Sequence, residues 1–471
     1  MRRAARVVGS VTVVLVLGAG GYAAADAYDL VEPGYLTLEP VPPTQAPFPT
    51  IPAAVAAPPI STVLGALDPD APTPSAEVLT AAAAALAADP RLGSSVSVVV
   101  ADVLSAQVLV DLDGGAPRVP ASTTKLLTSF AAITALGAER TLRTRVVQPE
   151  PGRIVLVGGG DMMLSAGAGD PTAVNGRAGL LDLAVITARE LRAAGTTEVG
   201  LAVDDSLFSG PTMNPGWRAS NGIYVAPVTG LAVNVAKTRD LPYPPRHADP
   251  SVNAAQVFAA LLAEQGITVT AGLSRTTVPA GAPEVAAVES APIREIVRYT
   301  VQESDNTVAE VLGRLVAVER GLPGSFEGAT TAVLAEVGAQ GVDMTGAVIA
   351  DCSGLADGSA LPARVLVDLL LLAAEPGRTD LLPVVVDLPI SGWQGTLFER
   401  FLTGPAQGLV RAKTGSLPGV TSLAGTVQTA DGRLLVFAVL ADRTPAGGQP
   451  APRAAIDEFV QVLAGCGCQL A

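Results

Sequence analysis

Three short polar stretches carry the residue types that acyl transfer requires. The first is Ala121-Ser-Thr-Thr-Lys125. A serine hydroxyl is a poor nucleophile until a neighbouring base takes its proton. A lysine amine is such a base only when its pKa is lowered. With a helix starting near Ser122, Lys125 lies one turn on, on the same face. Alone, the pattern also fits a helix-capping serine beside a solvated lysine. Lysine usage favours the catalytic reading: of 30 basic residues only Lys125, Lys237 and Lys413 are lysine, and the rest are arginine. Arginine stays protonated and cannot replace a lysine base. The second stretch is Glu303-Ser-Asp-Asn306. On an irregular joint between helices, Ser304 and Asn306 project to one side, as residues two apart do in an extended chain. The third is Arg411-Ala-Lys-Thr-Gly415. If it is extended, Lys413 and Gly415 point to one face. Lys413 then presents a charge, and Gly415 keeps the face open for substrate and for the helix carrying Ser122.

The elements that position these residues follow from periodicity and breakers. An Ala-rich helix over Ala76 to Ala88 stops at Asp89-Pro90, and Val-rich strands cover Ser95 to Val100 and Gln107 to Asp113. The apolar run Leu126 to Leu136 reads as the helix behind Ser122. Between Arg145 and Glu289 short strands (Arg153 to Val157, Glu198 to Val203, Leu231 to Val235) alternate with helices Leu180 to Ala194 and Ala254 to Gln265. Gly158-Gly-Gly-Asp161 is a strand exit and not a phosphate loop, since no Gly-Lys-Ser/Thr follows. Asp204 and Asp205 face opposite ways in a strand and read as structural. Pro292 to Val318 predicts two helices joined around Ser304. Ser422 to Gln428 and Leu434 to Leu440 flank the hairpin turn Thr429-Ala-Asp-Gly432. Ile456, Phe459, Val460 and Leu463 then recur at helical spacing.

Composition narrows the class. A chain of 471 residues is long enough for several domains. A formal charge of −14 argues against nucleic acid as a partner. The single histidine, His247, sits in a Pro-rich loop that offers no support for a Ser-His-Asp triad or a histidine zinc site. Arg2, Arg3 and Arg6 precede an apolar run from Val7, which reads as a signal peptide or, if uncleaved, a membrane anchor within residues 1–30. Residues 31–74 hold a dozen prolines without periodicity and read as a linker. The bulk of the chain therefore works outside the cytoplasmic membrane. Three cysteines, Cys352, Cys466 and Cys468, suit one disulfide and one thiol, or three unpaired thiols.

Ser122-x-x-Lys125, Ser304-Asp-Asn306 and Lys413-Thr-Gly415 occur in the order found in penicillin-binding proteins and serine β-lactamases. With Gly158-Gly-Gly-Asp161, Asp204-Asp-Ser-Leu-Phe208, Asp351-Cys-Ser-Gly-Leu355, Gly395-Thr-Leu397 and Arg411-Ala-Lys-Thr-Gly-Ser-Leu417, the region from Ser75 onward resembles the D-alanyl-D-alanine carboxypeptidase/endopeptidase family of class C low-molecular-mass penicillin-binding proteins. The resemblance implies an α+β transpeptidase fold: an antiparallel sheet flanked by helices, an all-α subdomain, and an inserted α/β-type domain. It assigns 75–144 and 290–471 to the catalytic domain and 145–289 to the insertion, an interval too short for a second nested domain.

For the site, the resemblance implies Ser122 as nucleophile and neutral Lys125 as base, its pKa lowered by burial and by positive Lys413. The backbone N–H groups of Ser122 and Ser416 form the oxyanion hole. Ser304 relays a proton, Asn306 binds the substrate backbone, and Lys413 with Thr414 holds the terminal carboxylate; Gly415 leaves the space. Substrate adds as a strand beside Lys413. The implied partners are a peptidoglycan stem peptide and β-lactam antibiotics as covalent inhibitors, with no metal or organic cofactor. The alternatives are a serine β-lactamase, which lacks here the Glu-x-x-Leu-Asn loop of class A, and a non-catalytic wall-binding protein on the same scaffold. Two further expectations are a disulfide from Cys352 to Cys466 or Cys468, and a penicillin-reactive core that survives removal of Arg145 to Glu289.

Overall fold

Alternating apolar residues build the sheet on which the site rests. The computed structural model describes residues 18–23, 25, 26 and 67–466, except 240, 242 and 271. The chain divides into two units, Met1–Ala66 and Leu67–Ala471. In the first, the described residues are helical. The rest of the expected signal or anchor segment, and the linker to residue 66, lie outside the described residues. Among the described residues no helix is long and apolar enough to cross a membrane.

The second unit runs α1 (Ala76–Ala87), β1 (Val96–Asp102), β2 (Val108–Leu112), α2 (Lys125–Leu136), β3 (Arg143–Glu150), β4 (Arg153–Val157), β5 (Asp161–Leu164), α3 (Leu180–Ala193), β6 (Glu198–Asp204), β7 (Leu231–Val233), α4 (Pro250–Glu264), β8 (Thr268–Val269), β9 (Ser274–Arg275) and β10 (Glu284–Glu289). It continues with α5 (Ile293–Gln302), α6 (Asn306–Glu319), α7 (Phe326–Ala339), α8 (Ala363–Ala374), α9 (Pro383–Val386), β11 (Val410–Leu417), β12 (Val420–Gln428), β13 (Leu434–Ala441) and α10 (Pro450–Gly465).

The main sheet is antiparallel, in the order β11-β12-β13-β1-β2, so β11 is an edge. Along β13, Leu435, Phe437 and Val439 enter one core while Val436, Ala438 and Leu440 enter another, the period of two that a doubly covered strand needs. Helices α1 and α10 cover the first face and α8 the second. Behind α8, helix α2 packs against α5, α6 and α7. Ten of its twelve residues are buried, so it is surrounded on all sides, and its first residue, Lys125, is taken inside with it.

Strands β10-β3-β4-β6-β8 form a second, mixed sheet, with β9 also on β6; β4 and β6 pair in parallel, β3 antiparallel to both its neighbours. Helices α3 and α4 share a core with it around Ile154, Leu156, Leu183, Leu201 and Phe258. Asp204 accepts from the N–H groups of Ser206 and Val278, and Asp205 pairs with Arg275, both structural contacts.

Two expectations require correction. Met162, Met163, Phe208, Trp217, Val225 and Val228 belong to the same core as Leu312, Leu315 and Val333 of the helical region. Arg314 of α6 also donates to the carbonyls of Ser209 and Pro211, with its guanidinium stacked over Phe326. Removing Arg145 to Glu289 would strip that core, so no penicillin-reactive remnant is expected to survive it. Nor does Cys352 form a disulfide. Its thiol is buried in the helical core, while Cys466 packs against the core on the opposite face of the main sheet. Cys468 lies outside the described residues.

Candidate active site

The nucleophile turn departs from the simple helix start that the spacing predicts. Ala121–Thr124 forms a single 3-10 turn and the α-helix begins at Lys125. Ala121 has a φ of 49°, a left-handed conformation that costs an L-residue of this kind on the order of 1–3 kcal/mol. Surrounding contacts hold it. The Pro120 carbonyl accepts from the hydroxyls of Ser422 and Thr123, both at 2.7 Å. The Arg118 guanidinium donates to Ser97 and to the Val96 carbonyl, and the Val119 N–H to Asp442. Two glycines press on the same backbone. A Cβ at Gly415 would lie 2.6 Å from the Pro120 oxygen, and one at Gly354 only 1.8 Å from the Ala121 oxygen.

Ser122, Lys125, Ser304, Asn306 and Lys413 come together from the 3-10 turn, α2, the joint between α5 and α6, the start of α6, and β11. The Lys125 Nζ donates to Ser122 Oγ at 3.0 Å, to Asn306 Oδ1 at 2.7 Å and to the Ser353 carbonyl at 2.8 Å. All three ammonium directions are thus used, and the side chain has no exposure. The Asn306 amide in turn donates to the Tyr224 carbonyl at 3.0 Å. Lys413, also fully buried, donates to Ser304 Oγ at 2.9 Å and to the Thr414 carbonyl. Ser304 sits on the joint between α5 and α6 with a φ of 54°.

Burial lowers the Lys125 pKa to about 8, against the pull of Asp351, Glu310 and Asp305. At that value about a tenth of the amine is neutral at pH 7. Lys413 is held well below the usual lysine range by burial first and then by the charge on Lys125. Burial is thus the leading cause for both amines. The pair disfavours two charges at once.

Sequence reasoning missed how Lys125 is supported. Asp351 accepts from the N–H groups of Gly354 and Ala356 and from the Trp217 indole, which fixes the turn presenting the Ser353 carbonyl. Glu310, one turn after Asn306 on α6, accepts from the Cys352 N–H at 3.1 Å. Burial and then Asp351 raise its pKa to about 8. Asp351-Cys-Ser-Gly354 stands out as a motif, but nothing local indicates that its carbonyl faces the base.

The model of the D-Ala-D-Ala carboxypeptidase 3 (S13) family matches residues 79–240 and 236–464. The chain belongs to this family. It is 38% identical over 411 residues to a carboxypeptidase of Mycobacterium tuberculosis, covering 84% of this chain and 86% of that one. It is 29% identical to the D-alanyl-D-alanine carboxypeptidase of Actinomadura sp., covering 81% and 83%. Penicillin binding protein 4 of Haemophilus influenzae shares its fold, with a TM-score of 0.66 at 21% identity over 83% of this chain and 98% of that one. The architecture is thus the α+β fold of the penicillin-binding proteins, and the activity class is that of a serine-type D-Ala-D-Ala carboxypeptidase.

In this S13 chain the site opens into a cleft of about 1670 Å³, more than the 300–1,000 Å³ or so of small-molecule pockets and roomy enough for a peptide. One wall is the edge strand β11. The Ala412 N–H leaves the sheet to donate to the Pro389 carbonyl at 3.0 Å. By the alternation of an antiparallel strand, the N–H groups of Thr414 and Ser416 point out along the same edge. The Thr414 hydroxyl meets that of Thr396 at 3.0 Å, and the Arg453 guanidinium donates to Ser416 Oγ at 3.0 Å. Across the cleft, Arg218 is paired with Asp357. Among the described residues no group of three or more His, Cys, Asp or Glu is arranged to hold a metal ion.

Proposed function

We propose that this chain removes the terminal D-alanine from peptidoglycan stem peptides, and cleaves cross-links between them, through an acyl-enzyme on Ser122. The observation that carries this reading is the 3.0 Å contact between Ser122 Oγ and the buried, pKa-lowered Lys125 Nζ. Lys125 takes the hydroxyl proton as Oγ attacks the carbonyl between the last two D-alanines. The outward N–H of Ser416, with that of Ser122, receives the developing oxyanion. When the C–N bond breaks, Ser304 gives its proton to the leaving amine and takes one from Lys413, to which it is hydrogen-bonded, so the lysine pair still carries a single charge, now on Lys125. Asn306 binds the peptide backbone, and Lys413 with Thr414 holds the terminal carboxylate. That carboxylate favours the charge on Lys413, which leaves Lys125 neutral beside Ser122. Substrate lies along the open half of β11 as an added strand, where Gly415 leaves room for it. Water then hydrolyses the ester and frees Ser122.

The family's substrate is cell-wall material, so the enzyme works outside the cytoplasmic membrane, exported by the segment at residues 1–30 and either released or anchored by it. Within residues 145–289 the second sheet with α3 and α4 acts as the inserted part, while the stretch carrying Arg218 and Tyr224 packs with the helical core and shapes access at the cleft. β-Lactams acylate Ser122 in place of substrate; penicillin binding protein 4 of Haemophilus influenzae, a relative in fold, has been solved in complex with a β-lactam.

Labelled penicillin followed by peptide mapping tests the reading. A long-lived adduct on Ser122, with D-alanine released from a stem pentapeptide, supports it. Rapid turnover of penicillin points to a β-lactamase, and no adduct to a wall-binding protein.

A further inference from the structure

We infer that Arg453, on the first turn of α10, is a specificity residue that binds the carboxylate on the leaving D-amino acid. The inference rests on the function proposed above. Arg453 lies outside the three motifs and is brought to them by packing. The side chain of Gln449, the N-cap of α10, donates to the carbonyls of Leu417 and Val420 at 2.9 Å each. This ties the start of the helix to the turn between β11 and β12. From there Arg453 reaches Ser416 Oγ at 3.0 Å, one residue beyond the glycine that packs against the nucleophile turn.

The charge balance around Arg453 calls for an anion. It lines the cleft beside Thr414, Thr396, Ser416 and Arg400. The carboxylate nearest in sequence, Asp457 one turn along α10, is taken by Arg400, whose Nε lies 3.1 Å away. Among the described residues Arg453 makes no ion pair. Burial and the neighbouring Arg400 both work against its charge. Two guanidinium groups, one internal carboxylate and three hydroxyls thus converge at the open end of β11, in a chain whose formal charge is −14. A positive site in so acidic a protein is what a carboxylate bearing no other recognition group would need. A guanidinium presents paired N–H donors that match a carboxylate's two oxygens, and one of its N–H groups is already committed to Ser416. Arg453 and Ser416 therefore hold the carboxylate together, while Lys413 and Thr414 approach it from the strand.

The test compares two peptides, diacetylated Lys-D-Ala-D-Ala with a free C-terminal carboxylate and the same peptide as its carboxamide. Wild-type enzyme is expected to prefer the acid. In Arg453→Gln the acid-to-amide ratio of kcat/KM should fall by about 10- to 100-fold, the range for loss of a charge-assisted hydrogen bond. Acylation by penicillin, which carries a carboxylate, should fall alongside. Arg453→Lys keeps the charge but not the fork and should lose part of the ratio; it decides the matter if the glutamine variant does not fold. An unchanged ratio in either folded variant overturns the inference, including the case where both substrates slow equally because Arg453 merely props Ser416. A wild-type protein that neither cleaves the acid nor reacts with penicillin overturns the proposed function, and this inference with it.

Discussion

The Trp217 indole N–H donates to Asp351 at 2.8 Å, and Asp351 fixes the turn whose Ser353 carbonyl accepts from Lys125. A residue of the interval between the first two motifs therefore supports the base through Asp351 and the turn that Asp351 fixes. Trp217→Phe keeps most of the buried ring but leaves Asp351 short of one donor. Loss of a hydrogen bond to a charged group predicts a destabilisation of about 1.5–3 kcal/mol. Penicillin acylation should slow by roughly 3- to 30-fold as the turn loosens. Urea unfolding and stopped-flow acylation check both; a variant like the parent in each would show that the contact is dispensable.

Legibility differs between the reacting groups and their supports, for a physical reason. Ser122 and Lys125, Ser304 and Asn306, and Lys413 and Gly415 are close pairs whose spacing is set by one turn or one strand, so local pattern is enough to find them. The Ser353 carbonyl and Glu310 meet Lys125 and Cys352 only through packing of α2, α6 and the turn after α7, and backbone carbonyls leave no mark on residue type. Arg453 is one arginine of many until α10 packs on β12 and carries it to Ser416. The same holds for the elements. Strands β1 and β13 stand out as near-continuous apolar runs because both of their faces are covered. By contrast β10, with sequence Glu-Val-Ala-Ala-Val-Glu, is half exposed, and α7 is rich in Ala, Gly and Thr, so neither has a firm period. The α-helix starts later than the spacing around Ser122 suggests, because the chain enters it through a left-handed Ala121 and a 3-10 turn for which Gly354 and Gly415 leave room from elsewhere in the fold.

Acylation should rise with pH. Only the neutral amine of Lys125 can accept the Ser122 proton, and burial brings its pKa to about 8. A penicillin carboxylate on Lys413 keeps the charge there, which holds Lys125 at or below that value in the complex. The first-order acylation constant at saturating penicillin should therefore climb through a midpoint at or below about pH 8 and then level off. A constant that falls or stays flat between pH 6 and 8 would remove Lys125 from the role of base.

Gly354 offers a steric test of the strained turn. Its φ is +77°, and an added Cβ would lie 1.8 Å from the Ala121 oxygen, a backbone atom that cannot swing aside. Gly354→Ala should displace Ala121 and Ser122 and cut acylation by about 100-fold or more. Gly137, which closes α2 with a φ of +84°, has nothing within 4 Å of its would-be Cβ. Gly137→Ala should cost about 1–3 kcal/mol of stability from its backbone conformation, φ 84° and ψ 140°, and acylate like the parent. Equal behaviour of the two variants would mean that the clash at Ala121 is relieved without consequence for Ser122.

The two buried lysines are separated by exchange for arginine. Lys125 must give up its proton to work, and arginine holds its proton, so Lys125→Arg keeps the charge and removes the base. The planar guanidinium also cannot reproduce the three contacts to Ser122, Asn306 and the Ser353 carbonyl. Lys413 is proposed to act through charge toward a carboxylate and through its contact with Ser304, at 2.9 Å. Arginine supplies the charge there with altered geometry. Penicillin acylation should fall by several orders of magnitude in Lys125→Arg, and by about ten- to a hundred-fold in Lys413→Arg, roughly 1.4–2.7 kcal/mol of barrier. Both side chains are fully buried, so thermal melts must first show each variant folded. Stopped-flow rates measured side by side then decide. Equal losses, or a milder loss at Lys125, would move the base elsewhere in the site.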